Sequence, residues 1–319
     1  MSEMDRRRFL GSAAGAAAIL GASNVLHGAP VADRPADAAV STERPPRPPM
    51  IELGNTKIKM SRLGQGTGVK GGNRQSDQTR MGFAHFVDLM HHAYDRGIRF
   101  FDLADLYGTH VYFREALREM KRDELTILTK LWWRYDGPEK QTSLPARRQM
   151  ARTALERFKH ELTTEPDIVL LHCLMEEKWE DQMGPYMDVL NDAKAKGRIK
   201  AVGCSCHNFQ AMQTAANSPW VDVILARINM QGDKEFKDVQ MDGSRQDVEE
   251  VLRTARKNGK AIIGMKIFGE GKLADQRDAC MKYAQGNGLL DAMTIGLHTP
   301  AQIDDVLQMM HKYPAAALV

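Results

Sequence analysis

The sequence predicts an α/β protein whose body is a closed (β/α)8 barrel, or TIM barrel, preceded by an N-terminal β-hairpin. Eight short apolar runs alternate with eight amphipathic stretches after Pro49, and such alternation is typical of a parallel sheet covered by helices. Eight units within roughly 260 residues match the size of a closed barrel. An open dinucleotide-binding sheet is disfavoured, because the glycine-rich stretch Gly64–Gly68 is not followed by the start of a helix.

The elements follow one another in a regular order. The hairpin is predicted over Met50–Met60, with Gly54 and Asn55 at its turn. The eight strands are expected at Leu63–Gly66, Ile98–Asp102, Leu125–Lys130, Asp167–His172, Ile199–Gly203, Val221–Ala226, Ala261–Lys266 and Ala292–Gly296. Apolar residues at helical spacing predict helices at Gln78–Arg96, Tyr112–Met120, Pro145–Glu161, Tyr186–Lys196, Phe209–Ala216, Asp247–Lys257, Leu273–Gln285 and Pro300–His311.

Composition narrows the class of protein. The chain has 319 residues, of which 43% are hydrophobic and 27% charged, as in an ordinary globular enzyme. Its formal net charge of +3 is too small and too scattered to indicate a nucleic-acid partner. The four cysteines, Cys173, Cys204, Cys206 and Cys280, are too few and too unevenly spaced for a disulfide framework. No second cysteine pair completes a zinc site with Cys204 and Cys206, so no metal is expected.

The first fifty residues are predicted to contain an export signal and a linker. Residues 1–29 look like a twin-arginine (Tat) signal peptide, because Arg6, Arg7 and Arg8 precede the Gly/Ala-rich apolar stretch Gly11–Leu20. That stretch is short and weakly hydrophobic for a membrane-spanning helix, which is the alternative. The Tat machinery would therefore deliver the chain to the periplasm or another extracytoplasmic space. A leader left uncleaved would anchor it to the membrane.

Residues 30–49 are rich in proline and poor in apolar side chains. Such a segment cannot bury enough surface to fold, so a disordered linker is expected there. The domain organisation is then a signal over 1–29, a linker over 30–49 and a barrel domain over 50–319.

Polar residues stand at the ends of three consecutive predicted strands. Asp102, Lys130 and His172 each follow a buried apolar run, and Tyr107 lies in the loop after Asp102. The carboxyl ends of barrel strands meet at one rim, where barrel enzymes carry their active sites. A structural ion pair beside a satisfied histidine would explain any one of these residues alone. Three in register, with a tyrosine close by, favour a catalytic site.

These four residue types suit the reduction of a carbonyl group. A tyrosine with its ordinary pKa near 10 is a poor acid at neutral pH, unless an ammonium group stabilises its phenolate. Lys130 is expected to stabilise the phenolate, while Asp102 keeps Lys130 protonated and holds its side chain in position. Tyr107 would then protonate the substrate oxygen as hydride reaches the carbon, while His172 orients that oxygen.

The same residues carry a resemblance to the aldo-keto reductase family, extending from about Met50 to His311. Phe101–Gly108 resembles the family signature around its Asp and Tyr, Leu128–Trp132 the segment with its Lys, and Leu170–His172 the segment with its His. The resemblance implies a reductase of aldehydes or ketones that uses NADPH or NADH, bound extended across the rim without a Rossmann domain. By position, Trp132 and Trp133 are expected to line the substrate pocket.

The resemblance also implies a set of cofactor-binding residues: Gly66, Thr67, Ser205, Lys266, Phe268, Gly269, Gly271, His298 and Gln302. Ser205 corresponds to the serine that meets the nicotinamide carboxamide, whereas Cys206 and Leu225 stand where many members carry Asn and Gln. Gly264–Leu273 resembles the loop that wraps the pyrophosphate, whose glycines let backbone N–H groups approach.

The segment that reads the adenosine ribose in the family corresponds to Ile295–Asp305. NADP-specific members usually carry Lys or Arg where His298 and Gln302 stand here. A 2′-phosphate favours a bidentate cation, so the choice between NADPH and NADH stays open.

Two other functions fit parts of the pattern. A metal-dependent barrel lyase or isomerase could use Asp102, His172 and His207, although Lys130 would repel a cation there. A nucleotide-binding sensor or partner protein with little turnover would also explain the altered cofactor positions.

Overall fold

The computed structural model describes residues 44–133, 143–231, 237 and 239–319. The predicted signal peptide and residues 30–43 of the predicted linker lie outside the described residues. The end of that linker packs against the body, because Pro45 and Pro48 are buried and the Arg62 N–H donates to the Pro49 carbonyl at 2.8 Å. The last residues of the predicted linker, from Pro45 to Pro49, are therefore part of the packed body. Within the described ranges, no helix is both long and apolar enough to cross a membrane.

The strands form a hairpin and a barrel. Strands β1 (Met50–Glu52) and β2 (Lys59–Ser61) pair antiparallel, which confirms the hairpin. The barrel consists of β3 (Leu63–Gly66), β4 (Phe100–Asp102), β5 (Thr126–Leu131), β6 (Ile168–Leu174), β7 (Ala201–Cys206), β8 (Val223–Arg227), β9 (Ala261–Met265) and β10 (Ala292–Ile295). Each pairs in parallel with the next, and β10 closes onto β3. The predicted (β/α)8 barrel is confirmed.

Helices follow the barrel strands close to the predicted places. They are α1 (Asp77–Arg80), α2 (Phe83–Asp95), α3 (His110–Leu117), α4 (Leu144–Leu162), α5 (Trp179–Ala195), α6 (Phe209–Asn217), α7 (Arg245–Lys257), α8 (Arg277–Gly286) and α9 (Pro300–Lys312). The first predicted helix is divided into α1 and α2, since Gly82 between them has a φ of 94°, which no α-helix allows. Helix α5 begins well before Tyr186, where Glu180 and Asp181 complement the positive end of the helix dipole.

Side chains of the barrel strands alternate between two apolar layers. Phe100, Leu128 and Leu170 belong to the layer inside the barrel, which Leu53 and Met60 of the hairpin region also join. Their sequence neighbours pack outward against the helices. Because successive strand residues point to opposite faces, Asp102, Lys130 and His172 share the inward face with Phe100, Leu128 and Leu170.

Candidate active site

The inward-facing polar residues of β4 and β5 form a buried ion pair. The Lys130 ammonium donates to the Asp102 carboxylate, and also to the Leu103 carbonyl at 3.0 Å. The Thr294 hydroxyl, on β10, donates to the other Asp102 oxygen at 3.1 Å. Lys130 and Asp102 are almost completely buried, where neither charge would be tolerated without the other. The pair fixes both side chains at the mouth of the barrel.

Tyr107 and His172 meet beside this pair. Tyr107 ends a 3₁₀ turn over Asp105–Tyr107, and its hydroxyl oxygen lies 3.3 Å from His172 Nε2. The Lys130 Nζ lies 4.8 Å from the centre of the Tyr107 ring. The structure thus brings together the four residues that the sequence singled out.

The electrostatics of Tyr107 differ from the expectation. Burial raises its pKa well above 10, and the negative charge of Asp102 raises it further. Lys130 lies against the ring and donates to Asp102 and Leu103 rather than to the Tyr107 hydroxyl. This position explains why Lys130 does not lower the pKa of Tyr107 as expected. Burial, followed by the positive charge of Lys130, lowers the pKa of His172 well below 6.5. Tyr107 is therefore protonated and His172 neutral at neutral pH.

The loop after β3 holds the Tyr107 ring in place. A Cβ atom added at Gly68 or at Gly71 would overlap that ring. Glycine is needed at both positions because the backbone itself forms one wall of the tyrosine pocket. The sequence drew attention to Gly68 only as part of an incomplete nucleotide fingerprint, and its contact with Tyr107 was missed.

A second ion-pair network anchors the turn that carries Tyr107. Asp105 is buried and accepts two hydrogen bonds of 2.7 Å from the Arg157 guanidinium. Arg74 lies 3.3 Å from the same carboxylate and donates to Glu161 at 2.7 Å. His110, at the start of α3, bridges Glu161 at 2.8 Å and Thr129 at 2.7 Å. The sequence did not reveal this network, since its members come from separate helices, loops and strand β5.

A groove of about 260 Å³ leads from Asp102 and Tyr107 across the mouth of the barrel to helix α9. Six of the predicted cofactor residues line it: Gly66, Lys266, Phe268, Gly271, His298 and Gln302. Glu270, Thr294 and Arg277 also line it and were not predicted. Arg277 donates to Asp305 at 2.8 Å, and it brings to the outer part of the groove a guanidinium that the sequence did not reveal.

Three predicted cofactor residues do not line this groove. Thr67 is buried and donates to the Asp102 carbonyl at 2.8 Å, so it supports the end of β4. Gly269 is also buried. Ser205 lies on the inward face of β7, and its buried hydroxyl has no partner among the described residues.

The groove residues fit an extended dinucleotide. Lys266, Gly269, Glu270 and Gly271 all have left-handed backbone, with φ between 56° and 94°. Within these turns the Gly269 and Gly271 N–H groups already donate to the Lys266 and Phe268 carbonyls, whereas the Lys266 side chain lines the groove and offers a cation to anionic oxygens. The orphan Ser205 hydroxyl at the mouth of the barrel suits an amide partner.

The two predicted pocket tryptophans have different positions. The Trp132 ring lies edge-on to His172, with ring centroids 5.7 Å apart. Trp133 is buried, and its indole N–H donates to the His172 carbonyl at 2.9 Å. Trp132 therefore faces the candidate site directly, whereas Trp133 supports the strand that carries His172.

His207 does not join Asp102 and His172 in a ligand cluster. Its ring contacts Arg227 through Nδ1 and lies 3.6 Å from the Cys173 sulfur through Nε2. Within the part of the chain that the structure describes, no group of three or more His, Cys, Asp or Glu side chains is arranged to hold a metal ion.

Comparisons with known proteins agree with this architecture. The chain is 26% identical over 201 residues to the provisionally named aryl-alcohol dehydrogenase AAD16 of Saccharomyces cerevisiae, covering 56% of this chain and 58% of that protein. It is 24% identical over 197 residues to the NADH-specific methylglyoxal reductase of Escherichia coli, covering 56% and 59%. The chain thus spans less than two thirds of the length of these curated relatives.

Among solved structures, the aldo-keto reductase AKR11C1 from Bacillus halodurans, in its holo form, matches with a TM-score of 0.63. The identity is 16%, and the match covers 84% of this chain and 92% of that one. At this identity the likeness concerns the fold. The model of the aldo/keto reductase family, whose members use NAD(P)H, matches residues 62–316. The chain belongs to the aldo/keto reductase family.

Proposed function

We propose that the chain is an NAD(P)H-dependent reductase that converts an aldehyde or ketone into an alcohol. The observation that carries this proposal is the meeting of the Tyr107 hydroxyl and His172 Nε2, 3.3 Å apart, beside the Lys130–Asp102 pair. Two polar groups that converge at the inner end of this groove suit a carbonyl oxygen. The names of the yeast and E. coli relatives point to the same reaction class.

The residues divide the work as follows. When bound, NAD(P)H supplies the hydride that adds to the carbonyl carbon. Tyr107 donates its proton to the carbonyl oxygen as the C=O double bond opens, and the phenolate then regains a proton from solvent. The raised pKa of Tyr107, which burial causes, keeps that proton in place before reaction. Neutral His172 orients the oxygen, and Lys130 limits the charge that builds up on Tyr107.

Gly66, Lys266, Phe268 and Gly271 would hold the cofactor along the groove. Ser205 would offer its orphan hydroxyl to the nicotinamide amide. His298 and Gln302 are linked, since the His298 N–H donates to the Gln302 side chain at 2.8 Å. They would contact the adenosine half together with Arg277.

Steady-state reduction of an aldehyde panel with NADH and with NADPH tests the proposal, and Tyr107→Phe is the decisive variant. It removes only the acidic hydroxyl, so kcat/KM should fall about 10²- to 10⁴-fold. Nucleotide affinity, measured by fluorescence titration, should stay within about twofold, because the ring still packs against Gly68.

Turnover that survives in Tyr107→Phe would refute the assignment of the acid. Tight nucleotide binding by the wild-type chain, without reduction of any carbonyl, would instead favour a sensor or partner protein.

We propose in addition that residues 1–29 direct export to the periplasm or another extracytoplasmic space through the Tat machinery. The support is the run Arg6–Arg8 before the apolar stretch Gly11–Leu20. Replacing all three arginines with lysine keeps the charge and removes the arginine signal, so the protein should stay in the cytoplasmic fraction. Unchanged export of that variant would contradict the proposal.

A further inference from the structure

A further cation, besides Lys130 and Lys266, lies at the mouth of the barrel. Arg227 ends β8, and only 17% of its side chain is exposed. Its guanidinium contacts His207 Nδ1, and Nη1 lies 3.4 Å from the Asp242 carboxylate. The Nε–H has no partner within the described residues. A guanidinium has five N–H donors, and this one uses few of them.

The carboxylate paired with Arg227 is that of Asp242, at 3.4 Å from Nη1. Burial raises the pKa of Asp242 to about 6 against the opposing effect of Arg227, so Asp242 gains a proton more readily than an ordinary aspartate. One oxygen of Asp242 also has no partner in the described part of the chain. A buried guanidinium is stable only when an anion satisfies it. Arg227 thus retains donors for an external anion.

Arg227 faces the same space as the candidate catalytic residues. The ring of His207, which Arg227 contacts, lies with its centroid 6.3 Å from that of His172. The pKa of Glu270, a residue of the groove, is raised by burial but lowered overall by Lys266 and, less strongly, by Arg227. The His207 ring thus lies between Arg227 and His172 in this chain of contacts.

We propose that Arg227 binds a carboxylate of the substrate, so that the physiological substrates are oxo acids whose carbonyl and carboxylate are separated by a short methylene chain. The inference rests on the proposed carbonyl reduction and specifies its substrate class. The carbonyl oxygen would lie at Tyr107 and His172, while the chain would pass His207. A carboxylate accepts two parallel hydrogen bonds from a guanidinium, which fixes orientation as well as affinity.

The test compares two aldehydes of similar length, succinic semialdehyde and butanal, which differ by one carboxylate. The wild-type chain should prefer succinic semialdehyde in kcat/KM. In Arg227→Met that preference should fall about 100-fold, as expected when one partner of a buried charge pair is lost. In Arg227→Lys the preference should fall less, since the charge stays while the paired geometry is lost.

Arg253→Met is the matched control. Arg253 is an exposed arginine of α7 paired with Glu249, so its loss changes the net charge equally without changing the mouth of the barrel. The preference for succinic semialdehyde should therefore stay within about twofold. A similar fall in Arg227→Met and Arg253→Met would mean that general charge attraction sets the preference.

The outcomes separate this inference from the proposed function. Wild-type protein that reduces neither aldehyde would refute the proposed function. Wild-type protein that reduces butanal as well as succinic semialdehyde, or an unchanged preference in Arg227→Met, would refute the role of Arg227 alone. If Arg227→Met does not fold, the comparison of Arg227→Lys with the wild type decides, because an unchanged preference there would also overturn the assignment.

Discussion

The two ends of the groove are built in different ways. At the inner end, Asp102, Lys130 and His172 are buried residues of barrel strands, and backbone pairing fixes where they lie. At the outer end, Arg277 begins a helix, and about half of its side chain, 52%, is exposed. Buried, paired charges resist displacement, whereas exposed pairs contribute little and rearrange easily. The inner end thus holds its side chains in fixed positions, as a reacting group requires. The outer end can rearrange, so it can change the affinity for a nucleotide without moving the inner residues.

The largest expected effect lies at the inner end, in Lys130→Met. The substitution leaves the Asp102 carboxylate buried without its cation, so the free energy of unfolding should fall by about 3–5 kcal/mol. Chemical denaturation followed by circular dichroism measures this change.

The double variant Lys130→Met/Asp102→Leu provides the control, because it removes both charges. It should recover part of the lost stability and remain inactive towards aldehydes. If Lys130→Met lowers the free energy of unfolding by less than about 1 kcal/mol, the ion pair does not hold the inner end in place. The contrast between the two ends of the groove would then be wrong.

A smaller effect is expected from Arg157→Met, which acts on Tyr107 through Asp105. Losing both 2.7 Å hydrogen bonds loosens the 3₁₀ turn that ends at Tyr107. A displacement of about 1 Å can cost 10²-fold in rate, so kcat should fall about 10- to 100-fold, with the nucleotide dissociation constant little changed.

Arg118→Met is the matched control for Arg157→Met, because Arg118 is an exposed arginine paired only with Glu115 among the described residues. Its kcat should equal that of the wild type. Equal losses of kcat and nucleotide affinity in Arg157→Met would indicate general unfolding of the mouth instead of a misplaced Tyr107.

The same contrast explains what the sequence could predict. Apolar runs that end in polar residues predicted that Asp102, Lys130 and His172 meet at one rim, since the carboxyl ends of parallel barrel strands lie together. The barrel followed from the alternation of strands and helices. Tyr107 was found through its motif. The position of Lys130 against the Tyr107 ring, and the raised pKa of Tyr107, were not predicted.

The contacts of long arginine side chains were harder to predict. Arg157, Arg227 and Arg277 have long side chains that reach across elements, and their direction depends on tertiary packing that no local pattern encodes. Thr67 is a different case, because it does not line the groove. It follows β3 immediately and was assigned to the cofactor, yet its hydroxyl bonds to the Asp102 carbonyl. Thr67 has the same parity as Leu63, which packs outward against the helices, so the alternation of β3 extends to it and directs it away from the groove.

The smallest effect is expected at the outer end, in Arg277→Gln. If Arg277 contacts a 2′-phosphate, the variant should bind NADPH about fivefold more weakly, because an exposed ion pair contributes at most about 1 kcal/mol. NADH, which lacks that phosphate, should bind as before. Asp305→Asn should have the opposite effect, since it releases Arg277 from its 2.8 Å partner.

Lys312→Gln controls for net charge, because Lys312 is exposed and pairs with Asp278, away from the groove. Fluorescence titration of all three variants with both nucleotides measures the differences. Equal NADPH and NADH affinities in the wild type, unchanged in Arg277→Gln, would mean that the outer end does not read the 2′-position. Arg277 would then serve only to hold Asp305, because NADPH and NADH differ only at the 2′-position and the inner end of the groove cannot distinguish them.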